Sequence, residues 1–239
     1  MVSGTATFTS AKLCKEGDVQ IIESNYSGDM KKVTWKMYPG GWLEMAYEYT
    51  LNGNYPFSGV SFNYPENYVF GARWLGEGPY RVWKNRLDGT SLNVWQNMMN
   101  DTQAGRSPWI FPEFKGYFAD VAWMEMDTAE GKFLIASPDK DLYVRLFDFY
   151  ALSGPVPQPA LPAGNISFLD NIPPIGGKLA FGLNNDTASL GPLGELNKVH
   201  GSTRRSLFFY FGTPETSNTN KQFVMPTENI LTDEVKKQN

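Results

Sequence analysis

Thirteen consecutive residues, Trp74-Leu75-Gly76-Glu77-Gly78-Pro79-Tyr80-Arg81-Val82-Trp83-Lys84-Asn85-Arg86, gather the groups through which this chain could meet a polar ligand. They include three aromatics, three cations and an amide, with two glycines and a proline between them. Planar rings can lie against the apolar faces of sugar rings, and Arg, Lys and Asn hydrogen-bond hydroxyls or carboxylates. Glycine and proline at this density predict a defined loop rather than a helix or strand. The residue types leave a second reading open, in which the aromatics plug a core and the arginines pair with carboxylates.

Acid–base chemistry has fewer candidates. A glycosidase of the usual kind needs two carboxyl groups flanking the scissile bond, and no segment marks such a pair. Glu113, in the aromatic turn Phe111-Pro112-Glu113-Phe114-Lys115-Gly116, can meet a ligand or pair with Arg81 or Arg86, and pairing is the favoured reading. Asp170, ahead of Ile172-Pro173-Pro174-Ile175-Gly176-Gly177, reads as a turn former. The chain has one histidine, His200, which excludes every His–His metal pair and reads as structural or solvated. Its one cysteine, Cys14, forms no internal disulfide, and no Cys/His spacing resembles a zinc site. Asn184-Asn185-Asp186 offers oxygen ligands for calcium, but not at an EF-hand spacing. The expectation is therefore no catalytic residue, no metal and no cofactor.

Strands must position these groups. Aromatics make up 15% of the 239 residues and charged residues only 19%, with 23 glycines and 16 prolines, a balance that favours an all-β domain of extracytoplasmic type. A net charge of −4 and the lack of any long Lys/Arg cluster argue against a nucleic-acid partner. No apolar run approaches membrane-spanning length, and no leader is visible at the N-terminus. Period-two alternation predicts strands over 19–23, 32–37, 42–51, 59–64, 69–75, 116–126, 132–136 and 142–150, and the apolar run in 204–212 predicts a strand buried on both faces. Residues 90–99 are the one stretch that could carry a short helix. Trp95 is expected in the core, while Trp109 is left open. Residues 1–16 are expected as a linker or arbitrary start, 17–213 as one large antiparallel sandwich, and 214–239 as a peripheral tail.

The segment Trp74-Leu75-Gly76-x-Gly78-Pro79, ending in Arg86, resembles the C-terminal domain of family-2 glycoside hydrolases, the β-galactosidase small-chain domain. Pro112 to Trp123, Leu146 to Tyr150, and Asp170 to Gly182 resemble further motifs of that family in the same order, so the likeness spans roughly residues 17–213. Arg81, Trp83 and Asn85 stand where the family carries Glu, Tyr and Asp, and Lys178-Leu179 replaces its Asp-Asp pair. Phe181 takes the place of the Trp that stacks on the sugar. The resemblance implies a galactose mutarotase-like supersandwich that packs on a catalytic barrel, with a glycan other than lactose as ligand. In that family the catalytic carboxylates belong to the barrel, and this chain has no β/α alternation to build one. The implied carbohydrate contacts are Arg81, Trp83, Lys84, Asn85, Glu113 and Phe181. Phe181 and Trp83 are expected at one rim, with Arg86 buried and paired. The implied partners are a carbohydrate and the catalytic domain of the same parent protein, for which a periplasmic or extracellular setting is compatible with the composition. Three other readings stay open: an independent carbohydrate-binding module, a purely structural domain, and a sugar epimerase, which is disfavoured by the single histidine.

Overall fold

A computed structural model describes residues 4–98, 116–146, 161–175 and 195–212. Twelve strands run through them: β1 (Ala6–Glu16), β2 (Val19–Gly28), β3 (Met30–Met37), β4 (Trp42–Tyr55), β5 (Ser58–Phe62), β6 (Val69–Val82), β7 (Ser91–Met98), β8 (Tyr117–Thr128), β9 (Gly131–Ala136), β10 (Tyr143–Leu146), β11 (Ile166–Asn171) and β12 (Asn197–Tyr210). All the pairings between them are antiparallel. Glu66–Tyr68 form one 3-10 turn, and no α-helix occurs among the described residues. The fold is all-β, as the alternation predicts.

The main sheet runs β1-β2-β3-β4-β12-β9-β8-β6-β7, and a second layer, β10-β11-β5, continues from β8. Strand β8 belongs to both layers. Its later residues pair with β9 from Trp123↔Ala136 to Thr128↔Gly131, while Phe118 pairs with Val144 of β10. The change of partner falls at Asp120, which adopts φ +47°. Its carboxylate accepts the Asp141 N–H at 3.1 Å, and the Val121 N–H donates to the Leu142 carbonyl at 3.0 Å. The bend therefore keeps its backbone groups satisfied, as a buried strand irregularity must.

The core lies between the layers. Met45, Tyr47, Tyr49 and Leu51 of β4, Leu207 and Phe209 of β12, Met124 and Met126 of β8, and Trp74 of β6 face Val144, Ile166 and Phe168. Phe168 and Phe209 meet edge to face at 5.7 Å, a favourable arrangement of ring quadrupoles across the layers. The longest ladder joins β4 and β12 without a break, from Asn197↔Tyr55 to Tyr210↔Trp42.

Several expectations change. Residues 6–16, read as a linker, form β1, which pairs with β2 from Ala6↔Gly28 to Glu16↔Val19 although its side chains are almost all exposed. Residues 91–98 form strand β7 against β6 rather than a helix, because Leu92, Val94 and Met98 alternate with period two after the Asp88-Gly89 turn. The segment read as a loop from Trp74 is strand as far as Val82, with register shifts against β8 at Leu75/Glu77 and Glu77/Val82 and a cis Gly78–Pro79 peptide bond. Glycine there serves close approach: a Cβ on Gly76 would sit 2.7 Å from the Ala119 carbonyl oxygen and 3.0 Å from that of Asp120. Trp95 packs half-buried against the core. Trp109, residues 147–150, Asn184-Asn185-Asp186 and the 214–239 tail lie outside the described residues.

Gly76→Ala is expected to cost about 1–3 kcal/mol, because the two atoms nearest the new methyl group are backbone oxygens. Gly40→Ala, with nothing within 4 Å of its Cβ, is expected to change stability by less than about 0.5 kcal/mol. Urea unfolding of the two variants checks the contrast.

Candidate functional site

Beyond β6 the chain makes a tight turn, Trp83–Arg86, closed by two backbone hydrogen bonds. The Arg86 N–H donates to the Trp83 carbonyl at 2.8 Å, and the Trp83 N–H to the Arg86 carbonyl at 3.3 Å. Trp83 anchors the turn. Its side chain is 1% exposed, stands edge-on to Tyr117 at 5.2 Å, and packs with Leu161, Leu169, Ile172 and Ile175. Its ring is the floor of the turn rather than a platform open to a ligand.

The next two residues bind main chain. The Lys84 N–H donates to the Pro173 carbonyl at 3.1 Å, and its ammonium donates to the carbonyls of Glu195 at 2.6 Å and Leu196 at 2.9 Å. The Asn85 amide pairs with Ile175 at both ends: Nδ2 donates to the Ile175 carbonyl and Oδ1 accepts the Ile175 N–H, each at 2.9 Å. Asn197 extends the same clamp, its amide donating to the carbonyls of Ile172 at 3.0 Å and Pro56 at 2.8 Å. One turn thus holds Ile175, just before residues 176–194, and Glu195, just after them.

Arg81 lies alongside, its guanidinium carbon 4.8 Å from the centroid of the Phe118 ring, a cation–π contact. Arg86 does not follow expectation. Its side chain is exposed and has no ion pair among the described residues, while its backbone closes the turn with Trp83. Glu113 and Phe181 lie outside the described residues. Of the sequence-predicted contacts, Arg81, Trp83, Lys84 and Asn85 therefore fall in one stretch.

Asp170, read as a turn former, is a buried counter-ion near the end of β11. Oδ1 accepts the Arg205 Nε–H at 2.6 Å, and Oδ2 accepts the hydroxyls of Tyr49 at 2.7 Å and Tyr47 at 3.4 Å. Arg205 donates further to the Lys140 carbonyl at 3.1 Å. The sequence reading missed Arg205, although alternation along β12 puts it on the core side, opposite in facing to Arg204, which pairs with Glu48 at 2.9 Å. A second buried carboxylate, Glu44, accepts the Tyr38 hydroxyl at 2.6 Å and pairs with Lys36 at 3.5 Å. Glu44 and Tyr47, the latter bonded to Asp170, are an odd number of residues apart on β4, so these two carboxylates lie on opposite faces of the sheet. They cannot flank one glycosidic bond as a catalytic pair does. His200 is an exposed residue of β12.

The sequence profile of the beta galactosidase small chain family matches residues 5–155, from β1 through the 83–86 turn and beyond β10. No curated protein matches. The match begins ahead of β1, in keeping with that strand being part of the domain.

Two outcomes are expected. Asn85→Ala removes both bonds to Ile175, so amide hydrogen exchange at Ile175 should accelerate by about tenfold or more, at a stability cost of about 1–3 kcal/mol. The second concerns high pH. Burial, followed by the Asp170 charge, holds the Tyr47 hydroxyl well above its ordinary value of 10.0. Burial does the same for Tyr49 and Tyr117. These tyrosines keep their protons in the folded chain while the unfolded chain gives them up above pH 10.0, so stability is intact below that pH and falls above it. The slope is at most about 1.4 kcal/mol per pH unit for each such tyrosine. Urea unfolding from pH 8 to 11 should show this decline, and Tyr47→Phe should make it shallower.

Proposed function

The chain belongs to the beta-galactosidase small-chain family, and from that premise we propose that it is a non-catalytic accessory domain of a glycoside hydrolase. It packs on a catalytic domain and presents the edge around the 83–86 turn to the carbohydrate. The observation that carries this reading is the clamp: Lys84 and Asn85 grip Pro173, Ile175, Glu195 and Leu196. In this reading Trp83, Lys84 and Asn85 build the rim and position the chain that carries Phe181, which supplies the aromatic face. Arg81 and Glu113 are the further hydrogen-bonding groups of this reading. The ligand is a glycan, and the cations in place of the family's acidic residues tune it away from lactose.

The separation of Glu44 from Asp170 supports the non-catalytic role, since each is spent on its own structural partners. The test mixes the intact chain with the catalytic chain of the same source and follows association by size exclusion and nitrophenyl β-glycoside hydrolysis by absorbance. Expected are no turnover by this chain alone, a stable complex, and a rise in kcat/KM for the catalytic chain that is reduced by Asn85→Ala. Turnover by this chain alone, or failure to associate, would overturn the assignment.

A further inference from the structure

The outer face of the main sheet, away from the core, carries a second aromatic cluster. The register defines it. Trp123, Ala136, Phe208 and Glu44 lie in one cross-strand row, and Arg73, Glu125, Leu134, Tyr210 and Trp42 in the next. Trp42, Ala136 and Phe208 are buried, with Tyr38, Trp123, Leu134 and Tyr210 half-buried against them. Antiparallel sheets commonly leave such a face polar. Here the cluster opens into a groove of about 530 Å³, within the ~300–1,000 Å³ range of small-molecule sites.

The groove combines a rigid floor with a mixed polar wall. Trp42 and Tyr210 meet at 5.4 Å, and a Cβ on Gly212 would strike the Tyr210 ring at 2.7 Å, so that ring is held in place by backbone. Along one side Arg73 stands 5.8 Å from the centroid of the Trp123 ring, with Glu125 opposite it on β8. Glu125 pairs in turn with Lys132 at 2.9 Å. Donors and an acceptor therefore alternate beside the rings, with their charges largely compensated.

We propose that this groove is a binding site for a neutral saccharide, distinct from the 83–86 rim. A sugar presents apolar C–H faces and a girdle of hydroxyls that both donate and accept, which matches an aromatic floor with an Arg–Glu–Lys wall. An apolar helix or a lipid chain would strip water from three charged groups and offer no hydrogen bonds in return. A polyanion would meet Glu125. Fixed rings and a paired wall lower the ordering cost of binding. The proposal does not depend on the accessory-domain reading, because the residues involved are different.

The test titrates the intact chain with neutral tetrasaccharides derived from galactan, xylan, mannan and cellulose, read by calorimetry and tryptophan fluorescence. At least one is expected to bind, with Trp123→Ala and Arg73→Ala each weakening it about tenfold or more, a loss of about 1.4 kcal/mol. Arg73 is exposed, so its variant tests the site even where the loss of Trp123 perturbs folding. Absence of binding by every saccharide to the folded chain overturns the proposal. So does binding that survives Arg73→Ala, which places the ligand elsewhere.

Discussion

The Asp170–Arg205 ion pair is the constraint on which the two-layer arrangement turns. Arg205 leaves the core side of β12 in the main sheet and meets a carboxylate on β11 in the second layer, with both side chains under a tenth exposed. Removing two charges from water costs several kcal/mol per ion, and is tolerated only when the remaining polar atoms are also satisfied. Here they are: Tyr49 and Tyr47 occupy the second carboxylate oxygen, and the Lys140 and Asp141 carbonyls take guanidinium protons. A hydrophobic contact is non-directional and tolerates small shifts along the interface. A buried charge pair with directional partners does not, so it fixes the register of β11 against the main sheet.

That register propagates to the candidate site. Asp170 is followed by Asn171, whose amide donates to the Ser58 hydroxyl at 2.7 Å, and then by Ile172 to Ile175, which Asn197 and Asn85 grip in turn. The rim is thus the far end of a chain of constraints that begins in the core. Its polar residues engage main-chain carbonyls, which adds directional bonds to the packing of Trp83 beneath. Sites that must present a group accurately are built this way, with surrounding residues locked by their own hydrogen bonds. A segment dense in Trp, Lys and Asn is thereby spent largely on holding its own neighbours in place.

What the sequence disclosed follows from where the physical signal lies. Strands β4 and β8 alternate in burial over much of their length, so alternation marks them, while β12 is marked by its apolar run, with Leu207, Phe208 and Phe209 all buried. Strand β1 buries almost nothing and is held by backbone bonds to β2, which leave no trace in side-chain type. Strand β7 turns its alternating Leu92, Val94 and Met98 outward, so its period marks no buried face. Lys84 and Asn85 were identifiable as polar groups in a chemically dense segment, but their partners are carbonyls and an N–H, which carry no sequence signature. Arg86 stood out by its place in a motif, yet its contribution is made through its backbone. Arg205 was legible in principle: a cation on the core side of an apolar strand must find a counter-ion, and only the fold says that Asp170 supplies it.

The abundance of aromatics has the same physical origin. A sheet that covers one face with a second layer needs a single apolar side, and Trp74, Phe118, Phe168 and Phe209 supply it. Trp42, Phe208, Tyr210 and Trp123 lie on the other side, where the second layer does not reach. Large rings there raise the cost of solvation unless something meets them, and among the described residues Tyr38 and Leu134 pack against them. Half-buried indoles and phenols, one with a guanidinium over its face, suit an amphipathic contact better than a closed core, because each ring offers an apolar face and a polar tip together. The two aromatic layers therefore answer different demands. The inner one is sealed and sets the fold, while the outer one lines a groove beside a wall of paired charges.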